Sequence, residues 1–279
     1  MYRHLPEVII LNIHFQQQYC KCRTMFFLKN PSANLCNRLY TVYFKQTVLH
    51  LKKVFIGMDA LKVYFAGDLF DAKDLGGNLM LASAIERISG NRYKIMLPQN
   101  GECEVFERTS QSIRDADFEL LYACDCIVAN FDGCDPDSGT VVEFCFAKMA
   151  DMPAVLLRTD FRDGGDHTLP DGKPWNLMCS HYPRTEVLHI NAMQRYHQCL
   201  KKVTSGVEML NLFYESIAQE VVAALDSAAA GKSWLKVDEL AGQYEKIFNS
   251  IGGSVAQKFD QKRLQALFEH KKNCGLYEK

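Results

Sequence analysis

The stretch Asp137-Ser138-Gly139-Thr140-Val141-Val142-Glu143 places two carboxylates six residues apart with a glycine between them. Asp137 is positioned to cap a helix, Gly139 permits a tight turn, and Glu143 falls about one turn into that helix, between Val142 and Phe144. An acid with apolar neighbours near the carboxyl end of a strand is a candidate for chemistry. The plainer reading is also open, because free N–H groups and the helix dipole favour acids in a first turn. Twenty-odd residues upstream lie Asp115 and Asp117, the latter followed by Phe118, Leu120 and Leu121. Several carboxylates in one crevice, with few cations to neutralise them, suit an electron-poor sugar carbon better than a phosphate. A phosphate site would call for a glycine-rich loop with Lys, or an Arg clamp, and neither is found here. Gly67-Asp68-Leu69-Phe70-Asp71 is a second polar turn; Asp71 and Asp74 are either sugar contacts or a solvated loop.

Alternating strand and helix signals from residue 58 onward would position these groups. β-rich runs at 61–66, 93–97, 126–131, 153–158 and 187–190 alternate with helical periodicity at 78–88, 108–122 and 139–150. The pattern predicts an α/β fold, a flavodoxin-like three-layer sandwich with a five-stranded parallel sheet. In such sheets ligands bind beyond the carboxyl ends of the strands, where both acidic turns fall. Past about residue 200 the strands stop. Apolar stripes led by Val207, Trp234 and Val255 then predict amphipathic helices, a helical extension over residues 204–279. Their apolar faces must be buried on the core, on a second subunit or in a separate binding module.

Composition bounds the rest. With 279 residues, 48% hydrophobic and 23% charged, the chain is an ordinary globule of one large or two modest domains. A net charge of −1 leaves no global field to draw it onto nucleic acid or an anionic membrane, and no run is apolar enough for a span. The average hides a split: residues 1–57 sum to +7 and the remainder to −8. This basic head shows no sustained period. Its acid-poor composition resembles a transit peptide but lacks the Arg and Ser, so the expectation is a poorly ordered segment with Met58 as the working first residue. Without a secretory signal pattern, the 11 cysteines read as reduced thiols in a cytoplasmic protein, with no metal site.

The runs Tyr64-Phe65-Ala66-Gly67-Asp68-Leu69-Phe70, Asp137 to Glu143 and Trp175-Asn176-Leu177-Met178, together with Asp117, resemble the nucleoside 2-deoxyribosyltransferase family over residues 61–200. The resemblance implies a two-step exchange without a cofactor. Glu143 would attack the anomeric carbon of a 2'-deoxynucleoside, and a free nucleobase would then displace the enzyme ester. It implies that Asp117 handles the base and its proton and that Asp137 holds the sugar and orients the nucleophile. Tyr64 would line the pocket, with Gly67, Phe70, Asp71, Gly139 and Met178 around the substrate. It also implies a homo-oligomer in which Asn176 reaches a neighbouring active site. Asp68-Leu69 stands where relatives often place aromatic or Pro residues, which leaves base preference open. Two other readings remain: hydrolysis of 2'-deoxynucleosides or their 5'-monophosphates, and a non-catalytic nucleotide-binding module.

Overall fold

The computed structural model describes residues 60–101, 108–162, 165, 170–203 and 205–278. The basic head and Met58 lie outside the described residues. Residues 58–279 make up one compact unit.

Five strands form one sheet: β1 (Leu61–Ala66), β2 (Tyr93–Met96), β3 (Cys126–Asn130), β4 (Ala154–Arg158) and β5 (Thr185–His189). Every neighbouring pair is parallel and the order is β2-β1-β3-β4-β5, the flavodoxin-like arrangement. Strands covered on both faces carry unbroken apolar runs, hence CIVA in β3 and AVLL in β4. β5 begins two residues earlier than its apolar run suggests, because Thr185 and Glu186 pair with Ala154 and Val155 at the edge of the sheet. Strand order reverses between β1 and β3, which opens a crevice beyond their carboxyl ends.

The strands are joined and followed by α1 (Ala72–Ser89), α2 (Pro98–Gly101), α3 (Ser110–Tyr122), α4 (Ser138–Met149), α5 (Ala192–Leu200), α6 (Gly206–Ala230), α7 (Leu240–Ile251), α8 (Val255–Lys258) and α9 (Gln261–Asn273). Side chains alternate across the sheet. Val63, Phe65, Val128 and Val155 point to one face and pack with Leu81 and Ile85 of α1 and Ile217, Val221 and Leu225 of α6. Tyr64, Ile127, Ala129 and Leu156 point to the other and pack with Phe118 and Leu121 of α3 and Phe144 and Ala147 of α4.

The region beyond residue 203 therefore divides. Helix α6 is a full layer of the sandwich rather than an appendage, since its stripe covers β4 on the α1 side. Of that stripe, Val207 and Leu210 are exposed, Phe213 is half-buried, and burial is complete only from Ile217 onward. Helices α7–α9 add a further layer outside α3 and α4. There Tyr244 and Phe248 meet Tyr122 edge-on, with ring centroids 5.5 and 5.4 Å away. Of the fates open to these apolar stripes, burial on the core is the one observed.

Candidate active site

Helix α4 starts where the sequence places it. Asp137 is its N-cap, accepting from the Thr140 amide at 2.8 Å and from Thr140 Oγ1 at 3.2 Å. Such a cap contributes about 1 kcal/mol and fixes the first turn. Gly139 sits in that turn, exposed. Glu143 follows on the side of α4 that meets the sheet, while its neighbour Val142 is 45% exposed. Of the two apolar neighbours of Glu143, Phe144 is buried and Val142 faces outward.

From β1, 79 residues away in sequence, the buried Tyr64 donates its phenolic O–H to Glu143 Oε1 at 2.5 Å. That is the length of a strong charge-assisted bond. Burial pushes the Glu143 carboxyl up to about 7; the Tyr64 bond opposes this by favouring the anion, and the nearby charges of Asp117 and Asp137 add to the rise. Burial, with Glu143 and Asp117 beside it, drives the Tyr64 hydroxyl well above its ordinary range. Tyr64 therefore acts as a hydrogen-bond donor and not as a base. The structure brings Tyr64, Asp117, Asp137 and Glu143 together, three carboxylates within electrostatic reach of one another.

The loop that delivers Asp137 is held from beneath. Arg158, 1% exposed, donates to the carbonyls of Phe131 at 2.5 Å and Gly133 at 3.0 Å. Asp132 accepts from the Thr159 amide at 2.5 Å, from Thr159 Oγ1 at 2.7 Å and from the Asp160 amide at 2.8 Å. The buried cation is committed to backbone carbonyls.

Gly67 ends β1 at the crevice, where a Cβ would lie 3.1 Å from the Cβ of Asn130. A side chain there would press on Asn130, so glycine favours the close approach of the two strand ends. Asp71 is the N-cap of α1, accepting from Lys73 N at 2.7 Å and Asp74 N at 3.1 Å, and those bonds hold its carboxyl below the ordinary range. Its position is thus accounted for by capping. Phe70 and Met178 stand at the surface, 76% and 70% exposed. Exposed Asn176 spends its Oδ1 on the Met178 amide at 2.9 Å, opening a single 3₁₀ turn. Among the described residues no hydrogen bond joins Asn176 to Glu143 or Asp137.

Of the polar residues at the crevice, the sequence marks Asp68 only as part of its polar turn, and Asn78, Gln99 and Asn130 escaped that reading. Asp68 is raised above the ordinary carboxyl range by burial and by Asp137, Asp74, Asp132 and Asp71. Buried Asn78 donates to the Asp68 carbonyl at 2.8 Å and to Gln99 Oε1 at 3.4 Å. Asn130, the last residue of β3, has a buried Oδ1 with no partner. Asn130 and Gln99 sit at or just past strand ends, a signal that would have found both.

A parallel sheet with paired carboxylates at its switch point defines an α/β protein of the kind that works on small ligands at the carboxyl edge. Residues 63–178, from β1 into the 3₁₀ turn after Asn176, match the family model described as nucleoside 2-deoxyribosyltransferase. Two solved structures are similar. One is a conserved protein from Enterococcus faecalis V583, 22% identical with a TM-score of 0.38, the match covering 60% of this chain and 98% of that one. The other is a 2-desoxiribosyltransferase from Leishmania mexicana, 21% identical with a TM-score of 0.35, covering 43% of this chain and 86% of that one. No curated protein sequence matches the chain. No helix among the described residues is long and apolar enough to cross a membrane.

Proposed function

We propose that the protein transfers 2-deoxyribose between purine or pyrimidine bases through a covalent ester on Glu143. The observation that carries this reading is the 2.5 Å bond from Tyr64 to Glu143 beside Asp117 and Asp137. In the first step a Glu143 oxygen attacks C1' of a 2'-deoxynucleoside while the C1'–N bond breaks. The bonding pair leaves with the base nitrogen, and Asp117 delivers a proton to the base. In the second step the nitrogen of an incoming base attacks C1', the ester bond breaks back to the Glu143 carboxylate, and the proton returns to Asp117.

Charge develops in a direction that suits the site. As the base departs, the sugar ring becomes cationic, and nearby carboxylates stabilise it or trap it. Without a 2'-hydroxyl to withdraw electrons, that cation forms more easily. Tyr64 keeps one Glu143 oxygen hydrogen-bonded and so favours the ionised, attacking form. Asp137, fixed by its cap, would hold the sugar beside it. The surrounding carboxylates disfavour a 5'-phosphate and so favour nucleosides over their monophosphates.

Incubation of the protein with deoxyadenosine and cytosine, followed by chromatography, tests this. Deoxycytidine is the expected product, and it should vanish with Glu143→Ala. Free deoxyribose without deoxycytidine would replace the reading with hydrolysis. No turnover of any deoxynucleoside would leave a binding module. Native mass measurement tests the expected homo-oligomer, and mixing Glu143→Ala with Asn176→Ala protomers tests whether Asn176 serves a neighbour's site.

A further inference from the structure

Helix α3 is gripped on one side and reactive on the other. Asp115 and Glu119 lie four residues apart, on one side of the helix, whereas Asp117 is about 200° around from each. The gripped side meets the region after α7. Asp115 is fully buried and its Oδ2 accepts from the Ser254 amide at 2.6 Å and from Ser254 Oγ at 2.8 Å. Its Oδ1 accepts from Arg114 Nη2 at 2.7 Å, and Arg114 also reaches the Ile251 carbonyl at 3.4 Å. Gly253 makes the approach possible: its φ is +64°, and a Cβ there would sit 2.5 Å from Asp115 Oδ2. One turn further along α3, Glu119 receives Lys258 Nζ at 2.7 Å and Arg263 Nη1 at 2.6 Å. Arg263 also donates to the Lys258 carbonyl at 2.7 Å and lies over the Phe259 ring at 4.4 Å. The Arg263 guanidinium is thus tied to the backbone of Lys258 as well as to the carboxylate that both cations share.

We infer that Ser254, Lys258 and Arg263 are positioning residues for base departure, setting the azimuth and height of α3 so that Asp117 meets the leaving base. The inference rests on the proposed transfer and gives the C-terminal helices a part in it. Partly exposed ion pairs contribute little to global stability. Two long cations on one carboxylate are therefore better explained by where they hold α3 than by how strongly they hold the fold. A displacement of about 1 Å at a proton donor can cost up to a hundredfold in rate.

The test compares two donors. Deoxyadenosine needs a proton on its departing base, whereas 7-methyl-2'-deoxyguanosine carries a cationic base that leaves without one. Release of base from both is measured for the full chain, for Lys258→Met with Arg263→Met, and for the milder Ser254→Ala, with melting temperatures alongside. The expected result is a fall in kcat of roughly tenfold to a hundredfold on deoxyadenosine. KM should be unchanged, the loss on the methylated donor should be within twofold, and the Lys258→Arg variant should recover the rate. In an Asp117→Asn background the same substitutions should cost nothing more. Equal losses on both donors, or no loss in variants that melt like the parent, would overturn the inference. If the double variant does not fold, Ser254→Ala is read by the same criteria. Failure of the parent chain to release base from either donor would instead count against the proposed transfer.

Discussion

The two edges of the sheet use the same residue type in opposite ways. At the amino edge, Asp125 precedes β3 and is fully buried, yet Lys271 lies 3.4 Å from one of its oxygens and His270 3.0 Å from the other. Burial works against its charge, but Lys271, His270 and the Lys62 amide hold its carboxyl below the ordinary range. Asp151, also at that edge, is matched with Arg184 at 3.1 Å and with Ser233 at 2.6 Å. At the carboxyl edge, Asp68 and Glu143 are raised, and among the described residues neither they nor Asp137 form an ion pair. Acids that fasten the fold are matched to cations. The acids at the crevice are instead left next to one another.

The contrast is broken most severely at Glu143. Glu143→Gln should lower transfer by on the order of 10⁴-fold, read as product formed per minute, because the attacking oxygen is lost. The same change should stabilise the fold. A carboxyl raised to about 7 costs folding free energy progressively as pH rises from its unfolded range to about 7. The variant should therefore exceed its parent by on the order of 2 kcal/mol in urea unfolding at pH 8 and by nothing at pH 4.

At the other edge the expected signs reverse. Asp125→Ala leaves Lys271 buried without its counter-charge, and about 3–5 kcal/mol of stability should disappear in urea unfolding. Activity per folded molecule should be unaltered. Next in size is Tyr64→Phe. Removing the bond that favours the anion should cut kcat/KM about tenfold and shift the acid limb of the pH profile upward from its position near 7. The smallest effect is expected at His270, whose hydrogen bond to Asp125 raises its pKa to about 10. Its contribution is complete below the unfolded histidine value and fades as pH climbs through about 10. His270→Gln should accordingly cost about 1–2 kcal/mol at pH 6, with the gap to the parent narrowing above pH 10.

The sheet was legible because strands buried on both faces carry unbroken apolar runs, as in 126–129 and 154–157, and because Pro98 stops a run. Asp137 was legible as a cap because the bonds it makes are to its own next turn. Residues whose role depends on distant partners were not. Nothing in the sequence around Tyr64 marks its hydroxyl as the partner of Glu143, and nothing around Asp115 or Glu119 points to Ser254, Lys258 and Arg263 more than a hundred residues later. The tail was read as an extension because apolar stripes reveal that a face will be buried but not against what.

Local order, the parallel α/β class and the carboxylates at the crevice were determined by the sequence alone, since strand alternation, capping and turn chemistry act over a few residues. Tertiary structure decided the rest. It made α6 a layer of the sandwich, set α8 and α9 against the helix that carries Asp117, and separated matched from unmatched acids. Charge energies depend on separation in space and on burial, and neither is a property of neighbouring letters.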